Sequence, residues 1–366
     1  MPTYFCGQFI SMYLKSNITI SLAFVCIITS FKSADEPAEK HLKNITQLTF
    51  SGDCAEAYFS FNNKYVTYQR TDPKDSIPCD QIWMMDITSK NPKHLPTRIS
   101  NAEGRTTCSY FLKNNTEILY ASTHLAGKEC PPMPPPRADH KYLWPIYNTF
   151  DIFVSDLKGN VKRQLTNIPG YDAEATVSPK GDKIVFTSTR NGDLDLYIMD
   201  IDGENVKQIT DSLGYDGGAF FSPDGKQLVF RASRPRTEAE IKEYKELLAI
   251  GMVAPTNMEI YTINVDGTNM KKITSLGKAN WAPFFHPSGK KIIFSSNHKS
   301  TPESRGYNFQ LYMINTDGTG LEAITAESKF NAFPMFSPDG KKIVFSSNRN
   351  NNGTRDTYLY IADWVE

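Results

Sequence analysis

Basic and acidic side chains recur at fixed places in this chain, and their types would suit the capture of a charged ligand. Arg70, His124, Arg190, Arg234, His298 and Arg349 each end the second predicted strand of a repeated unit. Asp172, Asp216, Asn280 and Asn331 stand where the first strand begins, with Glu56 and Glu174 slightly deeper, and Arg105 adds a further guanidinium. Planar guanidinium forks hold carboxylates bidentately, so acids ringed by bases would suit a zwitterionic or peptide ligand. Structural pairing of Arg with Asp between neighbouring units produces the same composition without any ligand.

Acid–base chemistry is the rival use of these residues. Glu56, Glu174, His124 and His298 could serve a metal-assisted lyase or hydrolase. His124, His140 and His298 lack the fixed spacing of a metal site. Asp200-Ile-Asp202-Gly203, Asp266-Gly267 and Asp317-Gly318 lack the later ligands of a calcium loop and read as hairpin turns. No nucleophile–base pair stands out, so no catalytic residue, metal or cofactor is assigned.

Four cysteines follow the N-terminal apolar run: Cys54, Cys79, Cys108 and Cys130. None has CxxC spacing, so two disulfides are expected ahead of a zinc site, with the connectivity open and the bridges lying within the first two units.

These residues are positioned by a repeat. Ser178 to Phe186 (SPKGDKIVF) returns at Ser222 (SPDGKQLVF), His286 (HPSGKKIIF) and Ser337 (SPDGKKIVF). Each copy leads to a second string, LYIMDIDG from Leu196, IYTINVDG from Ile260 or LYMINTDG from Leu311. Short tags follow: Gln208-Ile-Thr210, Lys272-Ile-Thr274 and Ala323-Ile-Thr325. Two degenerate copies precede these, around Tyr65–Asp86 and Ile118–Thr166. Gly-containing turns joining runs of period two give four short strands per unit, and units of about 40–45 residues are propeller blades. The expected fold is all-β, a six-bladed β-propeller of four-stranded blades. The last blade lacks its tag, and Asn44-Ile-Thr-Gln-Leu-Thr49 supplies it from the other end of the chain. That pairing closes the ring over residues 44–366 and removes its edges.

Topology puts the short Asp-Gly turns on one face of the disc. The other face takes the loops between second and third strands and the crossings between blades. Two insertions enlarge it. Residues 126–150 carry Cys130-Pro-Pro-Met-Pro-Pro-Pro-Arg137, then Tyr142, Trp144 and Tyr147. Residues 234–257 predict a helix, with a Thr237–Glu240 capping box, an apolar stripe of Ile241, Tyr244 and Leu248, and Gly251 and Pro255 at its end. Together they could form a lid over a central pocket or an ornament on a neighbouring blade.

The repeats resemble those of the TolB-type β-propeller family, which is WD-repeat-like in architecture, over roughly residues 44–364. No counterpart of the TolB N-terminal domain is expected ahead of them. The resemblance implies a non-enzymatic binding or scaffold protein for a peptide, protein or cell-envelope component. Similarity to oligogalacturonate lyases, and to propellers that accompany peptidases, keeps an enzyme or an accessory subunit as the alternative.

Lys plus Arg and Asp plus Glu both number 40, which gives no electrostatic case for nucleic acid or an anionic membrane as partner. The apolar run Ile18–Phe31 behind Lys15 is short for a membrane span and fits a signal peptide over residues 1–34, with a retained anchor as the rival. Residues 35–43 are then a linker. The expected product is an exported, periplasmic or extracellular monomer with no span after signal removal.

Overall fold

The computed structural model describes residues 39–366, apart from 73, 76–77, 90–94, 135–140 and 305–307. The expected export segment, residues 35–38 of the linker, and His140 lie outside the described residues.

Six antiparallel four-stranded sheets make up the ring, with one further two-stranded sheet. Inner strands of the blades are Asp53–Phe59, Thr106–Phe111, Asp172–Val177, Asp216–Phe221, Asn280–Phe285 and Asn331–Phe336. In the first five blades the chain runs outward through four strands in order. In the sixth the outer strand is Leu42–Gln47, paired antiparallel to Tyr358–Trp364 from Leu42↔Trp364 to Gln47↔Tyr360. The ring therefore closes through its two ends, as the displaced tag predicts.

The repeated strings have local physical causes. In the Ser-Pro-Asp-Gly-Lys turn, Ser222 Oγ donates to Asp224 at 2.6 Å and accepts from Gln227 N at 2.9 Å. Ser337 does the same with Asp339 and Lys342. Gly225 and Gly340 sit at φ 71° and 70°, a conformation that costs glycine little. The tag threonine accepts the N–H that opens the third strand: Ile152 to Thr166, Leu196 to Thr210, Ile260 to Thr274 and Leu311 to Thr325, at 2.8–2.9 Å. Ser100 serves blade one, and Thr49, from the front of the chain, accepts from Leu359 N at 2.9 Å. Each tag thus satisfies a buried donor that a strand end would otherwise orphan.

The core lies between blades and along the axis. Tyr58, Tyr110, Phe220 and Phe284 meet near the axis, with neighbouring ring centroids 5.1–6.3 Å apart. These rings fill the channel from the short-turn side.

Candidate functional site

Every inner strand slips register with its neighbour at one equivalent place. The bulged residues are Glu56, Cys108, Glu174, Gly218, Ala282 and Phe333, all with φ between 47° and 60°. A bulge of this kind re-aims its side chain, and all six residues line one axial cavity of about 30 Å³. That volume holds about one or two waters. Blades one to three contribute Glu, Cys and Glu, and blades four to six contribute Gly, Ala and Phe, so the ring is polar on one half.

Glu174 is the most heavily bonded member. It accepts from Thr187 Oγ1 at 2.8 Å, Tyr215 Oη at 2.7 Å and Gly218 N at 2.9 Å, and it pairs with Arg231. Burial opposes ionisation, but the Arg231 charge and these donors hold the carboxyl below its usual range. Gly218 makes room for the guanidinium: a Cβ there would stand 1.8 Å from Arg231 Nη1. Both Arg231 hydrogen bonds leave from Nη2, to Glu174 and to Tyr215 Oη, while Nε is buried without a partner. Glu56 is different. Burial raises its carboxyl, against bonds from the Cys108 thiol and Tyr58. Burial, then the Glu56 and Glu174 charges, push the Cys108 thiol well above its ordinary value.

The two insertions meet over this ring. Trp144–Pro145 from blade two pairs antiparallel with Met252–Val253 from blade four, and Lys141 pairs with Glu243 of the helix. Trp144 covers Arg231, with the guanidinium carbon 5.2 Å from the ring centroid, and packs 5.1 Å from Trp281. The helix spans Glu238–Ala249 with the capping box formed at Thr237 and Glu240. It buries Tyr244 and Leu247, with Leu248 half-buried, and Tyr244 donates to Asp193. Leu247 was absent from the expected stripe. On the opposite side, the Cys79–Cys130 disulfide, with its Cα atoms 5.9 Å apart, joins the blade-two insertion to blade one. Arg105 reinforces that junction through Asp80, with its guanidinium 6.0 Å from the Tyr147 ring centroid.

The expectation of two disulfides is corrected: Cys54 and Cys108 are free thiols. The bulge turns Cys108 into the channel. Cys54 stands two positions before its own bulge and faces the Ser51 and Gly52 carbonyls. The bridge that does form joins blade one to the insertion of blade two.

The peripheral bases are held by their own blades. Arg190 donates to both oxygens of Asp172 at 3.0 Å, and Arg234 forks onto Asp216. These pairs join strands one and two of the same blade, which corrects the expected pairing between neighbours. Arg349 forks onto Glu39, just ahead of the closing strand, and lies 3.4 Å from the Asn331 oxygen. His124 Nδ1 bonds Ser122 Oγ and His298 Nδ1 bonds Ser296 Oγ, both at 2.9 Å. Arg70 is misplaced in the expected ring. It pairs with Cys54 in register, where Ser188 pairs with Asp172, so Asp72 occupies the position equivalent to Arg190. Arg70 donates to that Asp72 at 2.7 Å.

A shared device explains the basic residues. Arg70, Arg190 and Arg234 lie 4.6–5.2 Å from Trp83, Tyr197 and Tyr261 of their third strands. His124 and His298 pack at a tilt against Phe153 and Tyr312, with ring centroids 4.3 and 4.5 Å apart. Asn280, in turn, donates to Met258 O and accepts from Ser296 Oγ. Among the described residues, no three His, Cys, Asp or Glu side chains converge as a metal site.

Sequence reasoning missed Arg231 and Tyr215, and it placed Trp144 in the blade-two insertion without a partner. Arg231 has a visible signal, because it stands in SPDGKQLVFRAS where SPKGDKIVFTST has a threonine.

The TolB beta propeller domain model matches residues 146–240 and 245–359, more than half of the chain. An uncharacterized protein of Agrobacterium fabrum is 32% identical over 89 residues, which span 24% of this chain and 28% of that relative. Among solved structures, TolB from Acinetobacter baumannii aligns with TM-score 0.57 at 18% identity, over 84% of this chain and 66% of that one. A TolB-assigned protein of Agrobacterium tumefaciens gives 0.55 at 18% identity, over 86% and 91%. Oligogalacturonate lyase from Vibrio parahaemolyticus gives 0.51 at 11% identity, over 86% and 79%. These structural likenesses are likenesses of fold.

Proposed function

Because the chain belongs to the TolB β-propeller family, we propose that it is an exported binding protein whose loop-bearing face docks a peptide or protein of the cell envelope. The observation that carries this reading is a set of large apolar side chains exposed on that face. Met133 and Tyr142 of one insertion, Leu125 just ahead of it, and Ile250 of the other are each more than half exposed. Phe50 and Ile168, on crossings between blades, add to them. Their backbone is held by a disulfide, a two-stranded sheet and a capped helix, so little ordering entropy is lost on binding. Exposed apolar side chains on a rigid frame suit a partner surface. The Arg forks are already occupied by carboxylates of the protein itself, which directs attention to the apolar set.

Export is supported by the disulfide and by the apolar run Ile18–Phe31. Among the described residues no helix is long and apolar enough to cross a membrane.

The test is capture from an envelope extract by the wild-type chain beside a Leu125→Ser, Tyr142→Ser, Ile250→Ser variant. A protein held by the first and lost by the second supports docking through this face. Equal capture by both places binding elsewhere.

A further inference from the structure

On the opposite, short-turn face, the seam between blades three and four holds a cavity of about 320 Å³. We propose that this seam binds a small organic anion, with a carboxylate head between Lys180 and Lys207 and an apolar body on Ile198, Phe221 and Val265.

The cavity exists because this seam lacks rings that fill another. In the repeat, Ser178 corresponds to His286, Phe221 to Phe336 and Val265 to Trp364. Between blades five and six, Trp364 meets Phe336 edge-on at 4.8 Å, and His286 packs 4.9 Å from Phe336 and 6.0 Å from Trp364. Between blades three and four the phenylalanine remains, but serine and valine stand in place of the two rings. A cavity floored by Ile198, Phe221 and Val265 is left.

Charge at the rim selects the ligand. Lys180 makes no hydrogen bond or ion pair with the described residues and is exposed. Lys207 donates to the Asp266 carbonyl at 3.1 Å and makes no ion pair, although its charge acts on the Asp266 carboxylate. Lys183 is neutralised by Asp200. The rim carboxylate Asp182 accepts from Ser178 Oγ at 2.7 Å. Two ammonium groups without an ion pair above an apolar floor favour an anion with a hydrocarbon body. A cavity near the lower end of ligand-pocket volumes, about 300–1,000 Å³, suits a short-chain molecule better than a peptide strand.

The probe is octanoate, followed by calorimetry and by ligand-observed NMR, with octanol as the uncharged comparison. Saturable octanoate binding is expected, weakened about tenfold in a Lys180→Gln, Lys207→Gln variant, in keeping with roughly 1.4 kcal/mol of lost charge-assisted contact. Val265→Trp copies the filled seam and should abolish binding while the chain still melts cooperatively. Octanol binding as tight as octanoate, or octanoate binding unchanged in the lysine variant, overturns the proposal. So does unchanged binding in a folded Val265→Trp chain. If Val265→Trp does not fold, the lysine variant and octanol decide alone. Because the loop-bearing face is untouched by these substitutions, envelope capture is read independently.

Discussion

Glu174 and Arg231 meet across the seam between blades three and four with each side chain less than a tenth exposed. A pair buried this deeply costs much to desolvate, and removing one partner strands the other. Glu174→Gln is therefore expected to lower stability by about 3–5 kcal/mol, read as a shift in the urea midpoint. Combining it with Arg231→Met should recover part of that loss, with a coupling of about 0.5–3 kcal/mol. Additive effects would show that the two groups do not support one another.

The pH dependence of stability should contain two opposite contributions. Glu174 is held below its usual range, so its contribution is present above the unfolded value and is lost as pH falls below about 4. Asp216 is pushed up to about 7 by burial, which outweighs the attraction of Arg234. Its protonated form is favoured in the fold, so its contribution is full below the unfolded value and is lost as pH rises toward 7. Asp216→Asn should flatten the melting-temperature profile between about pH 4 and 7. An unchanged slope there would assign that titration to another group.

Thiol chemistry tests the cysteine assignment. Burial pushes Cys54 up to about 12, and Cys108 is raised by burial among carboxylates. Neither should alkylate at pH 8 while the chain is folded. Unfolding without reductant should label both and leave Cys79 and Cys130 unmodified. Rapid labelling of Cys108 in the folded chain would mean that the cover over the axial cavity opens readily.

The closing tag should be worth as much as an internal one. Thr49→Val leaves the Leu359 N–H buried without its acceptor, as Thr210→Val leaves that of Leu196. Each should cost about 1–3 kcal/mol in thermal unfolding. A negligible effect at Thr49 alone would show that the last blade frays.

The sequence displays the turns and tags because the same hydrogen bonds recur in several blades and call for the same residues, as Ser222 and Ser337 show. It hides the axial ring for the opposite reason. A bulge is a slip in backbone register, and its six positions carry Glu, Cys, Glu, Gly, Ala and Phe, with no shared side-chain type. Glu56 and Glu174 could be placed near the axis from their strands, but Cys108 could not. Arg70 was misaligned because blade one carries Asp72 where Arg190, Arg234 and Arg349 stand in theirs. The pairing of Trp144–Pro145 with Met252–Val253 joins two-residue strands from distant segments, and so short a pairing leaves no periodic trace.

The pairing of Leu42–Gln47 with Tyr358–Trp364 also imposes an order of events. A chain made or exported from its N-terminus presents its first ordered strand some 300 residues before the partner arrives. Until then that strand is an unpaired edge. The circle cannot be completed piecemeal. Arrival of Tyr358–Trp364 is the step that turns a string of partly formed blades into a sealed molecule, and blade six, holding both ends of the ring, is where unsealing would begin.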